Sequence, residues 1–135
     1  MKIRWNDVLE SYAQLYDKFK VNMSYRTKSW KSDDDYKKDQ MEIVGKIDEL
    51  DLKVEQAVKD IIGEAFPDVE VIKFDSRMHS VGGGVIGEVL IRNSQNVSQA
   101  DEVAMWFEKK TAYKIDIDRW EDLPEDIKKK FEEKR

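Results

Sequence analysis

Apolar side chains at Ile43, Ile47, Leu50, Val54, Ala57 and Ile61 recur at alternating intervals of four and three, and from Val69 this rhythm gives way to strand-like runs. The first pattern lines one side of an α-helix, whereas β-branched runs with period two belong to a sheet. A chain that carries the two in separate segments is confined to the α+β class. The first segment predicts a helix from about Asp34 to Ala65, capped by Ser32 or Asp33, with Val44, Val58 and Ala65 broadening its stripe. At 1.5 Å per residue that helix is about 45 Å long, longer than a domain this size normally covers by itself. Either another helix folds back along it or part of its seam meets a second chain. Gly63 and Pro67 mark its end.

Val8, Tyr12, Leu15 and Phe19 repeat the helical spacing over residues 7–20, with Asn6 as a candidate N-cap. Residues 21–32 lose the period, gather Ser, Thr and Asn, and read as a connection. Downstream, VEVIKF and VIGEVLIRN predict a β-hairpin around the glycine-rich turn SRMHSVGGG. Ser98 then caps a helix over 99–111 whose Val103, Trp106 and Phe107 face inward, TAYKIDI (111–117) forms a third strand, and Leu123-Pro124 open a last helix. The order is α-α-β-β-α-β-α: a long amphipathic helical hairpin plus a small three-stranded mixed sheet. A right-handed strand-helix-strand crossover makes the second and third strands parallel. The expected organisation is a single domain over 1–135, with a helical hairpin at 1–66, a ββαβ unit at 67–117 and a C-terminal helix at 118–135.

Composition narrows the chemistry. The 135 residues include no cysteine and one histidine, His79, so disulfides, thiolate nucleophiles and Cys- or His-rich metal sites are excluded. The first residues, MKIRWNDVLE, have no signal-peptide run, and no apolar stretch approaches the roughly 20 residues of a bilayer span, so a soluble cytoplasmic protein is expected. The net charge is −5, and residues 31–68 hold twelve acidic against six basic side chains. That balance disfavours general affinity for nucleic-acid backbones.

Three groups of residues bear on function. Gly82, Gly83, Gly84 and Gly87 lie in GGGVIGEV, which matches the glycine-rich phosphate loop of protein kinases. The catalytic motifs of that family are missing, and a flexible hairpin turn or bulge accounts for the glycines. Asp75 and Glu88, one on each hairpin strand and followed by a helix and a strand, resemble the core of the PD-(D/E)xK nucleases over residues 69–117. The resemblance implies a Mg²⁺ held by the two acids. It departs from the family where a lysine is expected, at Leu90, and Arg92 on the same face supplies charge without serving as a base.

The third group is the connection itself, where Tyr25, Arg26, Lys28, Trp30 and Lys31 interleave aromatic and basic side chains, beside an acidic helix that presents Asp48, Glu49 and Glu55. Trp, Tyr and Arg dominate the energetics of protein interfaces. No complete catalytic motif exists, so no catalytic residue and no cofactor are assigned. The expectation is a non-enzymatic protein-binding factor of the inhibitor, immunity or host-interaction type, similar in size and composition to small phage or mobile-element proteins. Another protein is the expected partner, no membrane is involved, and the long helix offers a surface to a second copy. The alternative is a degenerate nuclease-like protein that binds nucleic acid or nucleotide through Asp75, Glu88 and Arg92.

Overall fold

A computed structural model describes residues 3–76 and 85–133. The elements are α1 (Trp5–Thr27), α2 (Asp33–Ala65), β1 (Glu70–Ser76), β2 (Val85–Arg92), α3 (Val97–Thr111), β3 (Lys114–Arg119), a 3₁₀ turn at Trp120–Asp122 and α4 (Glu125–Glu133). This is the expected α+β order. The chain divides into two compact units, Met1–Val54 and Glu55–Arg135, with the division falling inside α2. Among the described residues no helix is long and apolar enough to cross a membrane.

The first unit is an αα-hairpin. The helical stripes of α1 and α2 meet: Tyr12, Tyr16, Ile47 and Val54 are buried, and the rings of Tyr12 and Tyr16 stack with centroids 6.0 Å apart. The Tyr12 hydroxyl donates to the Asp51 carboxylate at 2.5 Å, so α1 does fold back along the long helix. At the other end Asn22 is 3% exposed. Its amide nitrogen donates to the Tyr36 carbonyl (3.2 Å) and to Gln40 Oε1 (2.9 Å), and its oxygen accepts from Lys31 Nζ (2.7 Å). Tyr12 with Asp51 and Asn22 with Gln40 thus tie the two helices together at both ends. The Ser32 hydroxyl accepts from the Asp35 N–H and caps α2.

The second unit is built on the sheet, in the order β1-β2-β3, antiparallel between β1 and β2 and parallel between β2 and β3. β2 is central and buried on both faces, so VIGEVLIR is apolar apart from the half-buried Glu88 and Arg92. The register of β1 against β2 shifts between Val71 and Lys73, so Ile72 is an extra residue. Because of that bulge Val71 and Phe74, three apart, both lie on the inner face against Ile91 and Val89. The core on that face adds Ala57, Val58, Ile62, Val103, Phe107 and Ile115. Trp106 lies at its edge, its indole N–H donating to the Ile61 carbonyl at 2.9 Å.

Several boundaries differ from expectation for local reasons. α1 begins at Trp5 with Arg4 at its N-cap and no capping side chain, so Asn6 is inside the helix. α3 is capped by Asn96, not Ser98: Asn96 Oδ1 accepts from the Gln99 N–H at 2.8 Å, and Gln99 Oε1 accepts from the Gln95 N–H at 2.7 Å. This reciprocal pair satisfies two donors that an early helix start leaves open.

Gly87 is the tightest point of the sheet. A Cβ there would stand 2.5 Å from the Asp75 carbonyl oxygen and 2.6 Å from the Phe74 ring. Gly87→Ala is therefore expected to lower stability by about 2–3 kcal/mol through forced repacking of a buried ring, read as a drop in the midpoint of denaturant unfolding. An unchanged midpoint would show that the β1 backbone at Asp75 and the Phe74 ring can both move aside.

Candidate functional site

The turn between α1 and α2 is where the aromatic and basic side chains gather, and its backbone explains their arrangement. α1 continues through Tyr25 and Arg26 to Thr27, so of the aromatic and basic side chains of the expected connection only Lys28, Trp30 and Lys31 lie outside the helix. Ser29 takes the left-handed conformation, with φ 59°. The Trp30 N–H donates to the Tyr25 carbonyl (2.9 Å) and the Ser29 N–H to the Arg26 carbonyl (3.0 Å). This is the Schellman pattern of helix termination, which brings the third-last helical residue against the second residue past the cap. Here those residues are Tyr25 and Trp30, with ring centroids 5.9 Å apart.

The charges of the turn settle on rings. Lys28 Nζ lies 4.5 Å from the Trp30 ring centroid, Arg26 lies 4.7 Å from that of Tyr36, and Lys31 lies 5.6 Å from that of Tyr25. Cation-π contacts of this kind contribute about 0.5–1 kcal/mol at exposed sites. Arg26 also stands 3.6 Å from Asp33. Lys31 is the anchored member, bonded to both Asn22 and Asp39. The composite is a preformed knob: Trp30 remains 70% exposed, while the turn beneath it is held by backbone hydrogen bonds and the Asn22 amide. An exposed Trp of ordered conformation loses little side-chain entropy on binding.

The acidic helix surface is ordinary by comparison. Asp48 and Glu49 are exposed, and Glu55 is mostly covered and pairs with Lys59 at 3.8 Å. Lys46 with Glu42 repeats this i,i+4 pattern. A row of carboxylates interrupted in this way is a solvated helix face.

The hairpin carboxylates do come together. Asp75 and Glu88 are directly opposed across β1 and β2, and register places Asp116 beside Glu88 and Asp118 beside Leu90 on β3. Lys73, Asp75, Glu88, Leu90 and Asp118 line a cavity of about 180 Å³, closed by Leu123 and Phe131. Lys73 is a residue that sequence reasoning passed over. It stands directly across from Leu90, where the nuclease resemblance wants a lysine, and it approaches Asp75 at 3.5 Å. Its alternation with Asp75 was visible, but its cross-strand position depends on the bulge at Ile72.

Other features of this face are architectural. Arg92 donates through Nε (3.0 Å) and Nη2 (2.6 Å) to Glu70 Oε2 and lies 5.7 Å from the Trp120 ring, which packs edge-on against Phe131. Among the described residues no three His, Asp or Glu side chains are grouped so as to hold a metal ion. Gly87 is a strand residue packed under Phe74. His79, Gly82, Gly83 and Gly84 lie outside the described residues.

No protein-family model, curated protein or solved structure matches the chain. The turn itself can be tested through its supports. Asn22→Ala removes a side chain that joins three partners in a buried place, and a loss of about 2 kcal/mol is expected. Ser29→Gly removes left-handed strain and is expected to stabilise by about 1 kcal/mol. Calorimetric melting of both variants checks the pair; equal and negligible shifts would contradict the account of the turn.

Proposed function

We propose that this chain is a non-enzymatic binding protein whose contact surface is the turn between α1 and α2, centred on Trp30. The observation that supports this reading is the combination of exposure and order: a large aromatic ring is presented to solvent on a turn whose backbone and neighbouring side chains are already bonded. Interfaces depend on a few such anchors, ringed by polar and basic groups such as Arg26 and Lys28. The partner is another protein with an apolar pocket for the indole and carboxylates at its rim. Asp48 and Glu49 extend the contact along α2, and the inhibitor or immunity class fits a factor that works by occupying a surface.

The test is comparative capture from a lysate of the source cells, with immobilised wild-type, Trp30→Ala and Lys28→Ala/Arg26→Ala chains. A partner retained by the wild type and lost with Trp30→Ala, whose fold circular dichroism shows to be kept, is the expected result. Equal retention by all three chains would reject the turn as the interface.

The opposed pair Asp75 and Glu88, with Lys73 across from Leu90, favours one second reading: a degenerate nuclease-like site. The cavity of about 180 Å³ lies below the usual size of ligand pockets. On this reading Mg²⁺ or Mn²⁺ raises the melting temperature of the chain and Asp75→Ala cancels the rise. On the binding reading neither ion shifts it.

A further inference from the structure

α2 carries a second apolar stripe on the side away from the buried residues of the hairpin. Met41 is 76% exposed and Leu52 67%, both unusual for such side chains, and Val44 flanks them. Part of the stripe forms an open groove of about 480 Å³ lined by Met41, Val44, Gly45 and Asp48. Around Gly45 there is nothing within 4 Å of where a Cβ would stand, so the groove floor is open.

The spacing of the stripe identifies what fits it. Met41, Gly45, Asp48 and Leu52 are separated by four, three and four residues, a sequence of intervals that reads the same in both directions. In heptad terms they are d, a, d and a positions, and two antiparallel helices stack such positions in alternating a-to-d layers. A second copy of α2 laid antiparallel therefore places Met41 against Leu52 of its partner, Gly45 against Asp48, and the same two layers again by symmetry. Each large apolar residue meets a large apolar one. The single charge in the seam meets the one position that has no side chain.

From this match we infer that the outer face of α2 is a self-association surface, on which two copies of the chain pair antiparallel about the Gly45–Asp48 layers. The contact is short and holds two aspartates near its dyad, so the dimer is weak, as small interfaces are. The surface shares Asp48 with the contact proposed above and does not include Trp30, and the inference does not rest on the proposed binding function.

Sedimentation equilibrium of the full chain over a wide concentration range tests it. A reversible monomer-dimer equilibrium is expected, weakened about tenfold or more by Met41→Asp, tightened several-fold by Asp48→Asn, which removes the like charges at the dyad, and unchanged by Trp30→Ala. Met41 and Leu52 are exposed, so these chains keep the monomer fold, which circular dichroism verifies.

The chain has no cysteine, which allows a direct test of orientation. Under mild oxidation with diamide, a mixture of chains carrying Met41→Cys and chains carrying Leu52→Cys forms the mixed disulfide. Either chain alone does not, because in an antiparallel pair like positions stand about 16 Å apart along the axis, beyond disulfide reach. A monomer at all concentrations, an equilibrium indifferent to Met41→Asp, or disulfides formed by each variant with itself would overturn the inference.

Discussion

The side-chain amide of Asn22 is the contact on which the first unit's geometry depends. It lies in a buried place among three partners, and each of its hydrogen bonds fixes a different piece of chain: the α2 backbone at Tyr36, the α2 side chain of Gln40, and Lys31 in the turn. A buried amide left unbonded costs about 1–3 kcal/mol, so slippage of α1 along α2 by even one residue is penalised. The apolar stripes alone would tolerate such slippage far better. Register is specified by this amide at one end and by the Tyr12–Asp51 bond at the other, and the turn that carries Trp30 inherits its position from that register.

In the second unit the equivalent constraint is the burial of β2 on both faces. A strand with Ile86, Val89, Leu90 and Ile91 all buried needs cover above and below. The inner cover comes from apolar residues of α2 and α3. The outer cover includes the 3₁₀ turn and α4, whose Trp120 and Phe131 pack on each other and on the cationic side chains of Arg92 and Lys73. Arg119 completes the closure by bonding Ser94 Oγ (2.8 Å) and Asp122 (2.9 Å). Much of the charge on this face holds a cover in place: Arg92 bonds Glu70 and lies over Trp120, and Lys73 lies over Phe131.

What could be read from the residues follows from how local each determinant is. The helix, strand and crossover pattern rests on spacing within short windows, and all seven elements stand in the expected order. The extension of α1 through Thr27 was hidden because Asn22, Ser24 and Thr27 look like loop residues. In the fold Asn22 is satisfied by α2, and the Thr27 hydroxyl donates back to the Met23 carbonyl at 3.0 Å. The bulge at Ile72 has no signature of its own, so the placement of Lys73 across from Leu90 could only come from the sheet. Likewise the residues of the turn were identifiable by type, but their stacking follows from Ser29 in a left-handed conformation, which sequence alone would have assigned to glycine or asparagine.

On the proposed function, the ordered, exposed Trp30 turn is the surface that meets the partner protein. Hydroxyl-radical footprinting of the chain, free and bound to the partner it captures, tests that most directly. Trp30 and Tyr25 are expected to lose reactivity in the complex while Phe131 and Trp120 keep theirs. Unchanged oxidation of Trp30, with protection confined to the sheet and α4, would contradict it.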